Sequence, residues 1–306
     1  MSEMWLWNDD RFVRLAIHVM IFITLVGVPL FIAQKSNQKW IGAYASVKSW
    51  FFAAPILFLG ASFPGKWTFV LVVVAAIYGA KTFFRMTGMY HRSWFVILSY
   101  ATIILQGYLI FTGHHELFNL MPMLFFLALV FIPILRNSAT HMIQYVALSL
   151  MNFIFFGWGL LHLGRMLTWE NGIYIALHIV ILSEFSESMQ HLGNRFLGKG
   201  KPFSNLTSRF TVGGFVFSAF FTLLLAFGLR GLLPSSEESY WITTCVLVLV
   251  LGRIGSITMS FIRRDLGVKE SGAFIIGRDD LLSRLDGLVF ISPAIFYAIL
   301  YLNGMV

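Results

Sequence analysis

Two polar patches carry the residue types that chemistry needs. The first runs from Ser183 to Lys201, SEFSESMQHLGNRFLGKGK. Glu184, Glu187 and His191 recur there at three and four residues, so they share one helical face, with Gln190 beside them. The second runs from Ser260 to Asp286, SFIRRDLGVKESGAFIIGRDDLLSRLD. The whole chain has 22 Lys and Arg and 14 Asp and Glu, and ten of these 36 residues fall between Arg263 and Asp286, five of each sign. Apolar runs flank both patches. Unpaired charge in hydrocarbon is costly, so these groups must meet water, one another, or a polar site. Carboxylate oxygens beside arginines are the donors that hold a divalent cation and phosphate oxygens. The plainer readings are a solvated loop laced with salt bridges and, for Glu187, an acid that has emerged into the membrane interface.

The elements that position these patches are transmembrane helices. A mean hydropathy of +0.78, with 58% hydrophobic and 12% charged residues, excludes a soluble globular protein. Spans of roughly 20 residues fit at about 12–33, 49–64, 67–84, 94–112, 117–135, 139–164, 171–192, 210–232, 240–261 and 287–303. The expected fold is therefore an all-α polytopic bundle of ten spans in one membrane domain, residues 1–306. Within it, residues 1–140 carry no matched motif and residues 141–306 carry both patches. The second span, interrupted by Pro55 and Gly60, is the shortest signal.

Loops after odd-numbered spans are the cationic ones: Lys35, Lys39 and Lys48, then Lys81, Arg85 and Arg92, then Arg136, then Arg195, Lys199, Lys201 and Arg209, then the charged stretch itself. By the positive-inside rule both termini lie outside and both patches face the cytoplasm. The formal charge of +8 follows from these loops. It points to topology and anionic headgroups, with no nucleic-acid partner. Cys245 stands alone, so there is no disulfide framework. His162 and His178 sit inside spans, where hydrogen-bonded packing is the expectation. Pro55, Pro122 and Pro133 read as kinks.

Read together, the patches resemble the phosphatidate cytidylyltransferases (CDP-diacylglycerol synthases). That family's pattern SxxKRxxxxKDxxxxxPGHGGxxDRxD aligns without a gap on Ser260, Arg263, Arg264, Lys269, Glu270, Gly277, Arg284 and Asp286. Its DxxAYxxGxxxG element aligns on Glu187 for the Asp, His191 for the Tyr, and Asn194 and Gly198 for the two Gly. Ser204 stands at the Ser of its SPxKTxEG loop, whose Lys and Glu are absent. Ile276, Arg278, Asp279 and Asp280 replace Pro, His, Gly and Gly, and Ser283 replaces the first Asp of DRxD.

The resemblance implies a transfer from CTP to phosphatidate or a related lipid phosphate, giving a CDP-lipid and pyrophosphate, in a bacterial inner (plasma) membrane. It implies Mg²⁺, with or without a second monovalent or divalent cation, held by Glu187, Glu270 and Asp286, with Asp279 and Asp280 as substitutes for the lost acid. Lys269, Arg263, Arg264, Arg284 and Lys199 would bind phosphates, with Ser260, Gln190 and Ser204 nearby. It also implies membrane lipids as partners and a homodimer. Two alternatives use the same residues: a member that binds lipid or nucleotide without turnover, and a transporter with Glu184 and Glu187 as an ion relay.

Overall fold

Asp9 starts the first helix by accepting the Arg11 N–H at 2.8 Å, which satisfies one of the donors a helix N-terminus leaves open. From there the computed structural model describes residues 5–37, 40–63, 65–207, 210–267, 275–276 and 279–304. Among these residues the chain forms ten long helical rods. They are α1 (Asp10–Ser36), α2 (Ile41–Ser62), α3 (Gly65–Met86), α4 (Ser93–Phe111), α5 (His115–Arg136), α6 (Met142–Met166), α7 (Gly172–Phe196), α8 (Val212–Gly228), α9 (Glu238–Asp265) and α10 (Leu281–Leu302). Eight of them are long and apolar enough to cross a membrane, and Val47–Ser62 and Val212–Gly228 are shorter apolar helices. The protein is an all-α polytopic membrane bundle.

The second span is one continuous helix with Pro55 inside it. Pro29, Pro122, Pro133 and Pro293 also lie within helices, as membrane helices tolerate when neighbours satisfy the freed carbonyls. One local exception to all-helical structure precedes α10. Ile275–Ile276 and Asp279–Asp280 pair antiparallel, Ile276 opposite Asp279, so the chain folds back on itself before entering the last helix.

Two cores meet at α7. The larger is built from α3 to α6 together with α9, α10 and one face of α7, through Ile175, Ile179 and Leu182. The smaller is built from α1 and α2 against another face of α7, through Tyr174, Leu177 and Ile181. The Tyr174 hydroxyl donates to Asp9, tying the start of α7 to the start of α1. That bond outweighs burial, which pushes the other way, and holds the Asp9 carboxyl below its ordinary pKa. A depressed carboxylate pKa contributes stability above the ordinary Asp range and loses it as pH falls through the lowered value. Asp9→Asn is therefore expected to flatten the fall in melting temperature between neutral pH and pH 3, measured in detergent.

Helix α6 is α-helical over Met142–Asn152, a π-helix over Phe153–Gly159, and α-helical again from Leu160. A Cβ on Gly159 would sit 2.6 Å from the Val289 carbonyl oxygen, so glycine lets α10 approach there. The same device joins α9 to α10. A Cβ on Gly255 would lie 2.2 Å from the Asp286 carbonyl oxygen, and one on Gly287 would meet Gly252 of α9 and Ser183 of α7. Small residues at such crossings let membrane helices pack backbone to backbone. Gly255→Ala is expected to push α10 off α9 and lower stability by about 1–3 kcal/mol, read as a lower melting temperature. His162 and His178 are buried, with Nδ1 of His162 at 2.7 Å from the Trp158 oxygen and Nε2 of His178 at 3.3 Å from the Thr244 hydroxyl.

Candidate active site

The crossings at Gly252, Gly255 and Gly287 bring three helices together: the middle of α7, the second half of α9 and the first turns of α10. Two ion pairs lie in this junction. Arg263 donates through Nη2 to Asp286 Oδ2 at 2.7 Å, with both side chains buried. Arg284 donates through Nη1 to Glu184 Oε2 at 2.6 Å, across 100 residues of sequence. The two polar patches are therefore in contact, and α10 holds both pairs because Arg284 and Asp286 sit two residues apart in its first turns.

The other candidate residues fall around this junction. Glu187 stands one turn beyond Glu184, with Oε1 at 3.7 Å from Nε2 of His191 on its own helix. Gln190 is buried and donates to Asn194 Oδ1 at 3.0 Å and to the Thr211 carbonyl at 3.2 Å, which fastens α7 to the start of α8. Asn194 Oδ1 also accepts from the Thr211 hydroxyl, which caps α8 through Gly214 N. Ser260 is turned along its own helix and donates to the Ser256 carbonyl at 2.7 Å. Arg264 reaches the Ser204 carbonyl at 3.4 Å, placing the exposed loop of Lys199 and Ser204 over the end of α9. Lys269 and Glu270 lie outside the described residues, as do Gly277 and Arg278. Asp279 and Asp280 are described by backbone alone.

Two residues enter the junction that the motif reading did not assign. Glu184, rather than Glu187, receives Arg284, and the signal for it was its place one turn earlier on the same helical face. The second is Arg253, in the middle of the apolar run of α9. It is 8% exposed, and its Nη2 donates to the hydroxyls of Ser186 at 2.6 Å and Ser218 at 3.4 Å. The Ser218 hydroxyl in turn donates to the Ser186 carbonyl at 2.7 Å. The Nε of Arg253 is buried with no partner among the described residues. Glu187, the residue after Ser186, is the acid whose charge bears on it. The sequence signal was there: an arginine inside a span is rare and costly.

Electrostatically the junction grades from the buried Arg263–Asp286 pair and Arg253 to the partly exposed Arg284 and Glu187. Arg263 and Arg284 each have a carboxylate, and Arg253 has hydroxyls. The carboxylates of Glu184, Glu187 and Asp286 are hard-oxygen donors of the kind Mg²⁺ takes. Among the described residues, no three His, Cys, Asp or Glu gather closely enough to hold a metal on their own. Arginines with planar forks and serine hydroxyls suit phosphate oxygens.

Comparison with known proteins gives this arrangement a family. The pattern of the Cytidylyltransferase family matches residues 45–302, from α2 to the end of α10. The chain belongs to the cytidylyltransferase family. Among relatives of this cytidylyltransferase-family protein, the uncharacterized protein YnbB of Escherichia coli is 28% identical over 132 residues, covering 43% of this chain and 44% of YnbB. The phosphatidate cytidylyltransferase of Staphylococcus aureus is 24% identical over 127 residues, covering 41% of this chain and 49% of that enzyme. The phosphatidate cytidylyltransferase of Thermotoga maritima is 30% identical over 97 residues, covering 31% and 36%. The chain thus spans at most about half the length of these relatives. The family match begins at residue 45, so it takes in α2 from that residue and all of α3 to α5, where the motif reading found nothing, and leaves out α1.

Proposed function

We propose that this protein is a CTP-dependent cytidylyltransferase that acts on phosphatidate or a related lipid phosphate and releases pyrophosphate. The observation that supports this most is the joining of the two remote polar patches, Arg284 to Glu184, beside the buried Arg263–Asp286 pair. An oxygen of the lipid phosphate attacks the α-phosphorus of CTP. The new P–O bond forms as the α–β anhydride bond breaks, and pyrophosphate leaves with the bonding pair. The protein's work in such a transfer is positioning and charge stabilisation.

Arg263, Arg264 and Arg284, with Lys269, are suited to the phosphate oxygens, and Arg253 adds a fixed cation from within the bundle. Glu187, Glu270 and Asp286 are the proposed Mg²⁺ ligands, with Asp279 and Asp280 as substitutes for the acid that the family pattern has at position 283. When bound, the metal neutralises charge on the phosphate oxygens. The ion pairs of Glu184 and Asp286 hold those carboxylates in place within the bundle. The cationic loops follow the odd-numbered helices, α1, α3, α5, α7 and α9, which supports a cytoplasmic site with both termini outside a bacterial plasma membrane. The homodimer belongs to the same proposal and is read from particle mass in nanodiscs.

The test is purified protein with Mg²⁺, labelled CTP and phosphatidate, assayed for CDP-lipid and pyrophosphate. CDP-lipid from the wild-type chain, reduced to background in Glu187→Gln, is the expected result. Ser283 and Arg278, where the family pattern has Asp and His, favour the second reading, binding without turnover. CTP or lipid binding with no product from any lipid phosphate would establish that reading in place of the first.

A further inference from the structure

Helix α7 carries two adjoining stripes. Glu184, Glu187 and His191 form the charged one, and Ile181, Phe185 and Met189 form an apolar one about a quarter-turn away. The apolar stripe is the wall of a cavity of about 440 Å³, closed on its other sides by α1, α2 and the end of α8. Val19 and Phe22 of α1 and Trp50 of α2 face it. The rings of Phe22 and Phe185 approach to 6.0 Å across it. Phe22 and its neighbours Ile21 and Leu25 are about half exposed or more, so the cavity opens sideways. Along α1 it runs from Leu15 to Val26, about 16 Å at 1.5 Å per residue. That is close to the hydrocarbon depth of one leaflet, about 15 Å. Its end nearer the junction is marked by Trp50, whose ring lies 5.9 Å from the Arg284 guanidinium. Among the described residues Arg284 binds Glu184 through Nη1, and a guanidinium carries further N–H donors.

We propose that this groove holds an acyl tail of the lipid-phosphate substrate, with its phosphate at Arg284 and its tail running along α1 away from the junction. The inference rests on the reading of the chain as a lipid-phosphate cytidylyltransferase. Charge complementarity selects the occupant: an apolar slot one leaflet long ends at a cation, and a lipid phosphate presents a tail and an anion at that separation. A tail is no less apolar in the bilayer than in the groove, so the groove contributes direction rather than affinity. It would fix where the phosphate stands relative to the junction, and misplacing a reacting group by an ångström costs up to about a hundredfold in rate.

The test uses the full chain in nanodiscs with phosphatidate bearing a diazirine in its tail, the labelled residues being located by mass spectrometry. Labels are expected on α1, α2 and α7 at Val19, Phe22, Trp50, Phe185 and Met189, displaced by excess phosphatidate and not by phosphatidylcholine. Labels spread over all lipid-facing helices, or displaced equally by both lipids, would show ordinary surrounding lipid and overturn the proposal. In the activity assay, Val19→Trp is expected to lower kcat/KM for a long-chain phosphatidate by about tenfold to a hundredfold. It should leave the dihexanoyl form and the KM for CTP unchanged. Equal losses on both chain lengths would also overturn it. CDP-lipid formation with an unlabelled groove sinks this inference alone. A specifically labelled groove without CDP-lipid keeps the groove and sinks the reaction.

Discussion

Asp286→Asn is expected to abolish CDP-lipid formation and to destabilise the protein at the same time. Asp286 is 2% exposed, and its Oδ2 accepts from Arg263 at 2.7 Å. Removing one partner of a buried pair leaves the other as an uncompensated charge, at a cost of about 3–5 kcal/mol. Loss of activity in the single variant would therefore not separate catalysis from folding. The double variant Arg263→Met with Asp286→Leu does. Replacing a buried ion pair by apolar side chains of similar volume is often neutral or stabilising by about 1–4 kcal/mol. The double variant should thus recover the wild-type melting temperature while CDP-lipid formation stays at background. Recovery of both would show that the pair serves only to hold α9 against α10, and would remove Asp286 from the proposed metal site.

The helical plan was legible because its cause is local. Each span must bury its backbone polar groups internally and be long enough to cross, and both demands are written in composition. Even the short second span could be counted, since the cationic loops alternate only if it is present. The junction was half legible. Spacing placed Glu184 and Glu187 on one face, and the charged stretch supplied Arg284 and Asp286, but which acid meets which arginine depends on how far α10 slides along α7 and α9. That offset depends on Gly255, where the Asp286 carbonyl leaves no room for a Cβ, and its meaning appears only when the helices cross. Gln190 shows the same limit. Its place beside the acidic face gave no sign that its amide fastens α7 to α8 through Asn194 and Thr211. The groove was illegible for another reason: apolar residues facing a cavity and apolar residues facing lipid look alike in sequence.

Arg253 gives the sharpest separation between a structural and a functional role, because the two roles predict opposite changes in stability. Its Nη2 donates to two neutral hydroxyls, and its Nε is buried without a partner among the described residues. Hydrogen bonds from a charged group return about 1.5–3 kcal/mol, whereas taking the ion out of water costs several. Among the described residues no carboxylate bonds it, and Glu187 acts on it only through space, so a guanidinium placed this way burdens the fold. Arg253→Met should then leave the melting temperature unchanged or raise it. Turnover should fall by about a hundredfold to a thousandfold, the usual loss when a fixed group that stabilises transition-state charge is removed. Arg253→Lys keeps the charge without the planar fork and is expected to recover part of the activity. If the loss appears as a raised KM for CTP, the guanidinium serves the nucleotide phosphates; if it appears in the KM for the lipid phosphate, it serves the acceptor. A melting temperature that falls in step with activity in both variants would instead make Arg253 a strut between α7, α8 and α9.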